Sequence, residues 1–176
     1  MERQDQPFDL CSSVFICGSF SDYNLAMKPS ESVKKRVLFL CTGNANRSQM
    51  AEGWARALHR DQIESHSAGI IASGLNPDAV RVMAEAGVDI SRQTSKTLDS
   101  LQGMRFDLVV TVCDNARESC PRFPGAARVV HRSFDDPPHL ATAARSEAEK
   151  LDIYRRVRDE IRAFVQTLPN LLENRT

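Results

Sequence analysis

Arg36-Val37-Leu38-Phe39-Leu40-Cys41-Thr42-Gly43-Asn44-Ala45-Asn46-Arg47-Ser48 passes from an uninterrupted apolar run into a loop of small and polar residues. The run is short and rich in β-favouring residues, as expected of a strand buried on both faces. From Ser48 to Arg60 the pattern changes: Met50, Trp54, Ala57 and Leu58 recur at helical spacing. A buried strand that feeds a helix through a tight turn predicts one unit of a parallel sheet.

The chain downstream keeps that alternation. A second strand is expected over Ile63 to Ser67, ended by Ala68-Gly69. Asn76-Pro77 opens a helix with a cap and a first-turn proline, and Gly87 closes it. Leu108 to Val112 and Ala127 to His131 read as the third and fourth strands. Ser146 to Leu168 reads as a long amphipathic helix, with Leu151, Tyr154, Val157, Ile161, Phe164 and Val165 along one stripe. The expected fold is α/β, a three-layer sandwich with a four-stranded parallel sheet covered by helices on both faces. Ligands of such folds bind outside the carboxyl ends of the strands, which directs attention to the residues after each strand.

Of the 176 residues, 41% are hydrophobic, enough for a packed core and against wholesale disorder. The 23 basic residues balance 23 acidic ones, without the excess carried by a phosphate-neutralising nucleic-acid binder. No apolar run approaches the roughly 20 residues of a membrane helix. Neither nucleic acid nor membrane is therefore expected as a partner. Five cysteines (Cys11, Cys17, Cys41, Cys113, Cys120), in a chain too large to need staples and without a secretory signal, point to a reducing cytoplasm. Residues 1–33 are rich in Ser, Asp, Gln and Pro and lack a sustained period. They read as a flexible extension ahead of a domain over 34–176, or else Met27 is the true start.

The first turn carries the chemistry. Small residues between Cys41 and Arg47 let successive backbone N–H groups face inward, a nest for a tetrahedral oxyanion. The following helix adds its positive end, and Arg47 a fork of donors. Thr42, Gly43, Asn44, Ala45, Asn46 and Arg47 are thus the candidate anion-binding residues. The same field is expected to depress the pKa of Cys41 and make it a nucleophile, with Ser48 donating a hydrogen bond to the sulfur. A cysteine and an arginine six residues apart meet by chance in many proteins; their place between a buried strand and a helix makes the signal specific. Cys113 ends the third strand, and Cys120 follows just before Pro121. By residue type alone they are a small core residue and a loop thiol, or a redox pair. Zinc has little support without a C-x2-C partner. If the segment between them is helical, their Cα atoms lie roughly 10 Å apart. A disulfide needs about 4.4–6.8 Å, so the segment must unwind to form one. Pro121, Pro124 and Gly125 make it a plausible moving loop.

Val37-Leu38-Phe39-Leu40-Cys41-Thr42-Gly43-Asn44 followed by Arg47-Ser48-Gln49-Met50-Ala51-Glu52-Gly53 resembles the low-molecular-weight tyrosine phosphatase superfamily, and within it the thioredoxin-coupled arsenate reductases. The resemblance continues through Ser67-Ala68-Gly69, Asn76-Pro77, Asp89-Ile90-Ser91, Val109 to Cys113, Cys120-Pro121 and Phe134-Asp135-Asp136-Pro137. It ends in Arg156-Val157-Arg158-Asp159-Glu160-Ile161 and covers about residues 35 to 168.

The resemblance implies that Cys41 attacks arsenate held by the loop and Arg47, with Asp136, the carboxylate before Pro137, as the acid; Asp135 is the possible substitute. It further implies that Cys113 attacks Cys41, releasing arsenite, and that Cys120 then moves the disulfide outward to Cys113–Cys120. Reduced thioredoxin is the implied electron donor, with glutaredoxin or mycoredoxin systems as alternatives, and no cofactor is bound. Arsenate is the implied substrate, phosphate and sulfate its analogues, and the chain is expected to be a monomer. Members of the family often bind potassium through residues matched here by Asn44, Glu52 and Ser67, and an Asp where this chain has Lys96. An ammonium is expected to take the cation's place beside Glu52, so no metal site is assigned. Asn46 stands where several relatives have a further cysteine. His59, His66, His131 and His139 show no ligand spacing and are expected at the surface or at strand ends.

Two other functions compete. A phosphomonoester phosphatase uses the same loop and acid but has no use for Cys113 and Cys120, and Pro138-His139 stand where such enzymes commonly carry aromatic residues. An oxyanion-binding or thiol-sensing module without turnover would be marked by a missing nucleophile, arginine or acid, and all three are present.

Overall fold

The computed structural model describes residues 33–119 and 126–173. Residues 1–32 of the N-terminal extension and Cys120 with Pro121, Pro124 and Gly125 lie outside the described residues. Strand β1 (Lys35–Cys41) leads into helix α1 (Arg47–Leu58), followed by β2 (Ile63–Gly69) and α2 (Pro77–Glu85). A 3-10 turn (Leu98–Leu101), β3 (Leu108–Thr111), α3 (Asp114–Ser119) and β4 (Val129–His131) come next. Helices α4 (Pro137–Ala141), α5 (Glu147–Val165) and α6 (Leu168–Glu173) complete the chain. None of the described helices is long and apolar enough to cross a membrane.

The four strands are parallel, in the order β2-β1-β3-β4. Successive side chains of a strand point to opposite faces, so the complete burial of Val37, Leu38, Phe39 and Leu40 means that both faces of the sheet are covered. On one side α1 packs on β1 and β2, with α5 against α1; α2 and α4 pack in turn on α5. Helix α3 lies against β1 and β3. The chain leaves β1 for β2 on one side and returns to β3 on the other. Strand order thus reverses at β1, where the carboxyl ends of β1 and β3 open a crevice.

Three sequence expectations change at the edges. The fourth strand begins at Val129 rather than Ala127, because Ala126 makes only an isolated bridge to Phe106 and β4 pairs on one side alone. The second strand runs on to Gly69, past the expected end at Ser67, because Leu40 and Cys41 of β1 pair with Ala68 and Gly69. The last long helix stops at Val165. Thr167 Oγ1 donates to the Phe164 carbonyl at 2.7 Å, and Pro169 has no N–H with which to continue the ladder. The expected caps are present: the Asn76 side chain accepts from Asp78 N and Ala79 N at 2.8 and 3.2 Å, and Ser146 from Glu149 N at 3.1 Å.

Gly69 ends β2 where three backbones converge. A Cβ there would stand 2.3 Å from the Ile71 carbonyl and 2.8 Å from both Asn44 N and Thr42 O. None of these is a flexible side-chain tip. Gly69→Ala is expected to cost about 3 kcal/mol or more, a fall in melting temperature on the order of 10 °C. An unchanged thermal unfolding curve would refute this close approach.

Candidate active site

The loop between β1 and α1 is shaped by where its carbonyls go. The carbonyls of Cys41, Thr42, Gly43 and Ala45 accept from the backbone N–H groups of Ile70, Ile71, Ser73 and Asn76 at 3.2, 2.9, 2.9 and 3.1 Å. Asn44 O accepts from Gln49 Nε2 at 3.0 Å, and Asn46 O from Met50 N at 2.9 Å. In a trans peptide the N–H points opposite to the preceding C=O. With every carbonyl turned outward, the following amides face the loop's interior, the arrangement that holds an oxyanion. Asn44 makes the turn possible with φ of 47°, in the left-handed region that asparagine tolerates better than most residues.

The Asn44 side chain is wholly buried and uses its full bonding capacity. Its Nδ2 donates to Ser48 Oγ at 3.0 Å and Ser67 Oγ at 2.9 Å, while Oδ1 accepts from Gln49 Nε2 at 3.0 Å and Lys96 N at 2.8 Å. Ser67 in turn donates to Glu52 Oε2 at 2.5 Å. Because Ser48 Oγ accepts from Asn44, its own proton is free for Cys41 Sγ, 2.8 Å away. The chain of bonds from Glu52 to the sulfur is therefore polarised toward the thiol.

Glu52 is buried, and two cations meet it: Arg56 Nη2 at 2.5 Å from Oε1 and Lys96 Nζ at 3.5 Å from Oε2. The ammonium stands where it was expected. A potassium ion at this carboxylate would face both positive charges, so the residues present do not fit one.

Cys41 is buried at the end of β1. Burial is the largest influence on its thiol and pushes the pKa up; the neighbouring Cys113 adds to the rise. The Ser48 hydroxyl and the backbone amides of Asn44 (3.0 Å from the sulfur) and Ser48 pull it down. This corrects the expectation of a depressed pKa: removing the sulfur from water costs the thiolate more than these bonds return. Of the groups that favour ionisation, the Ser48 hydroxyl has the largest effect. Ser48→Ala is expected to move the midpoint of Cys41 alkylation to higher pH, since the thiolate loses a donor while its burial persists. An unmoved midpoint in an iodoacetamide rate profile would show that the hydroxyl does not stabilise the thiolate.

Arg47 and Asp136 close the mouth. Arg47 Nη1 donates to the Phe134 carbonyl at 3.0 Å, and Nη2 lies 3.1 Å from Asp136 Oδ1. Together with Cys41, Thr42, Gly43, Ala45, Asn46, Ser73 and Pro138 they line a cavity of about 230 Å³. That is smaller than a typical drug-sized pocket and suits a small anion. Asp135 points elsewhere, paired with Arg156 at 2.8 Å, which leaves Asp136 as the carboxylate at the mouth.

Cys113 is buried just beyond β3, its sulfur 3.4 Å from Thr42 Oγ1. The residues after it are helical over Asp114–Ser119, while Cys120 lies outside the described residues. The structure thus gathers Cys41, the loop, Arg47, Ser48, Asp136 and Cys113 at one sheet edge. Sequence reasoning missed Gln49, Asn76 and Ser73. Gln49 and Asn76 carried a signal, both standing in the stretches that resemble the family and Asn76 also as a helix cap, but their part in shaping the loop shows only in the fold; Ser73 carried none. His131 ends β4, a strand-end place as expected, while His59 and His66 are half-buried rather than at the surface: His59 bonds the Val165 carbonyl and His66 the Glu64 carboxylate on its own strand. His139 is exposed.

Residues 36–175 match the profile of the family described as low molecular weight phosphotyrosine protein phosphatase. An arsenate reductase of Halalkalibacterium halodurans is 49% identical over 134 residues, 76% of this chain and 94% of its own length. Among solved structures, an arsenate reductase in the phosphate binding state superposes with a TM-score of 0.65 at 29% identity, covering 79% of this chain and 99% of that one. A low molecular weight protein tyrosine phosphatase from T. tengcongensis gives 0.63 at 27% identity, over 78% and 99% of the two chains. With the anion loop, its arginine and its cysteine in place, the chain belongs to the low molecular weight phosphotyrosine protein phosphatase family.

Proposed function

We propose that this chain reduces arsenate to arsenite through a relay of three cysteines. The observation that carries the reading is the second buried thiol, Cys113, whose sulfur lies 3.4 Å from the hydroxyl of an anion-loop residue. A hydrolase has no use for it. The relatives named arsenate reductase and matching most of their own length support the same substrate.

Arsenate enters the loop on its inward amides and Arg47, competing with Asp136 for the guanidinium. The Cys41 thiolate attacks arsenic while Asp136 gives a proton to the departing oxygen, leaving an S–As bond and water. The Cys113 thiolate then attacks the Cys41 sulfur. An S–S bond forms, the S–As bond breaks with its electron pair passing to arsenic, and As(V) leaves as As(III) in arsenite. Cys120 displaces Cys41 from Cys113, and the resulting Cys113–Cys120 disulfide takes two electrons and two protons from a reduced dithiol protein of the thioredoxin class. No bound cofactor takes part in this scheme. Arsenate and phosphate share shape and charge, so slow hydrolysis of phosphate esters by Cys41, Arg47 and Asp136 accompanies it.

The test is arsenite formation with thioredoxin, thioredoxin reductase and NADPH, beside a glutathione–glutaredoxin mixture. Arsenite equal to the NADPH consumed is expected in the first mixture. Aryl phosphate hydrolysis with no arsenite in either would make the chain a phosphatase.

A further inference from the structure

Four side chains beside Cys113 form a connected group to which the proposed reaction gives no task. Strand β3 ends at Thr111 and α3 starts at Asp114, so Cys113 lies in the two-residue link between them. Thr111 Oγ1 is 2.8 Å from His131 Nδ1, and His131 Nε2 is 3.0 Å from Asp114 Oδ1. Ser133 Oγ donates to the other carboxylate oxygen at 3.1 Å. A carboxylate only accepts, so Nε2 carries the proton; in the neutral ring Nδ1 then accepts the Thr111 hydroxyl. The imidazole, at the end of β4, spans the link from the residue before it to the residue after it. Thr111 and His131 are also paired across the sheet, which holds the ring in register with β3.

We propose that His131 is a positioning residue for Cys113. Through Thr111 and Asp114 it clamps both ends of the link, holding the thiol beside the anion loop for attack on Cys41. This rests on the relay proposed above and concerns the step in which the Cys41–Cys113 S–S bond forms as the S–As bond breaks and arsenic takes up its electron pair. Displacement at sulfur needs an aligned approach, so a loosened link slows this step. Hydrolysis of a phosphate ester, which needs only Cys41, Arg47, Asp136 and water, does not depend on it.

The test uses the full chain with Cys120→Ser, in which the Cys41–Cys113 disulfide accumulates. Rapid quenching after one turnover with arsenate, then mass spectrometry of non-reduced peptides, gives the rate of its formation. His131→Ala, which loses the bonds to Thr111 and Asp114, and Asp114→Ala, which loses those to His131 and Ser133, are each expected to slow it about tenfold, the scale of the one bond to a charged group that both share. The double variant should be no slower than either single, and His131→Gln, whose amide reaches the Nε2 position, should recover most of the rate. Hydrolysis of p-nitrophenyl phosphate should stay within about twofold throughout. An unchanged disulfide rate in both alanine variants overturns the proposal. So does a parallel loss of hydrolysis, which would make the group a general support of the fold. A parent chain that hydrolyses the ester but forms no Cys41–Cys113 bond overturns the relay and this inference together.

Discussion

Cys41→Ser is expected to abolish both arsenate reduction and ester hydrolysis, a loss of about 10⁴-fold or more in kcat/KM. The side-chain hydroxyl is far harder to ionise than a thiol, and the bonds from Ser48 and the Asn44 amide cannot make up the difference in a buried site. Oxyanion binding should survive, because the inward amides belong to the backbone. Arg47→Lys is the complementary case. A point charge cannot hold the Phe134 carbonyl and also offer a second donor to an anion as the guanidinium fork can, so about a 10²-fold loss is expected, with weaker phosphate binding. Steady-state kinetics and phosphate titration of the two variants separate attack from binding. Near-normal turnover in either would sink the nucleophile and anion-loop assignments.

Under the proposed relay Cys113→Ser and Cys120→Ser are each expected to lose multiple turnover with arsenate, but to stop at different points. Without Cys113 the adduct stays on Cys41, because no other thiol among the described residues is buried beside the loop. Without Cys120 one arsenite per chain should be released and a Cys41–Cys113 disulfide should remain. Both variants should still hydrolyse a small aryl phosphate, which needs neither thiol. Peptide mass spectrometry after a single turnover reads the difference directly. A Cys120→Ser chain that keeps full steady-state turnover with thioredoxin would show that an external thiol resolves the first disulfide.

Val37 to Leu40, the turn from Cys41 to Arg47 and the first turns of α1 are contiguous, and local pattern sufficed for them. Strand period, small loop residues and helical spacing all act within a few positions of one another. The three-layer α/β architecture and the placing of Cys41, Arg47 and Cys113 at one sheet edge follow from that alternation. Pairing of Glu52 with Lys96 was legible as well, but only through a family resemblance, since 44 positions of chain separate the two residues.

Other features depended on segments that meet only in the folded chain. The family resemblance named Asp136 as the acid but left Asp135 open as a substitute; only the fold separates them, with Asp135 paired to Arg156 on α5 and Asp136 lining the pocket. The loop carbonyls are turned outward by Ile70, Ile71, Ser73 and Asn76, which follow the second strand. The shortened β4 reflects its place at the sheet edge, which no local pattern reports. Cys41 lies at the end of a strand in sequence, where a helix start and an arginine argued for an easily ionised thiol. Packing around it removed the sulfur from water and raised its pKa. Bonding partners within a few residues are written in the local order of the chain; burial and hydrogen bonds over tens of residues arise only when distant surfaces close on the same atom.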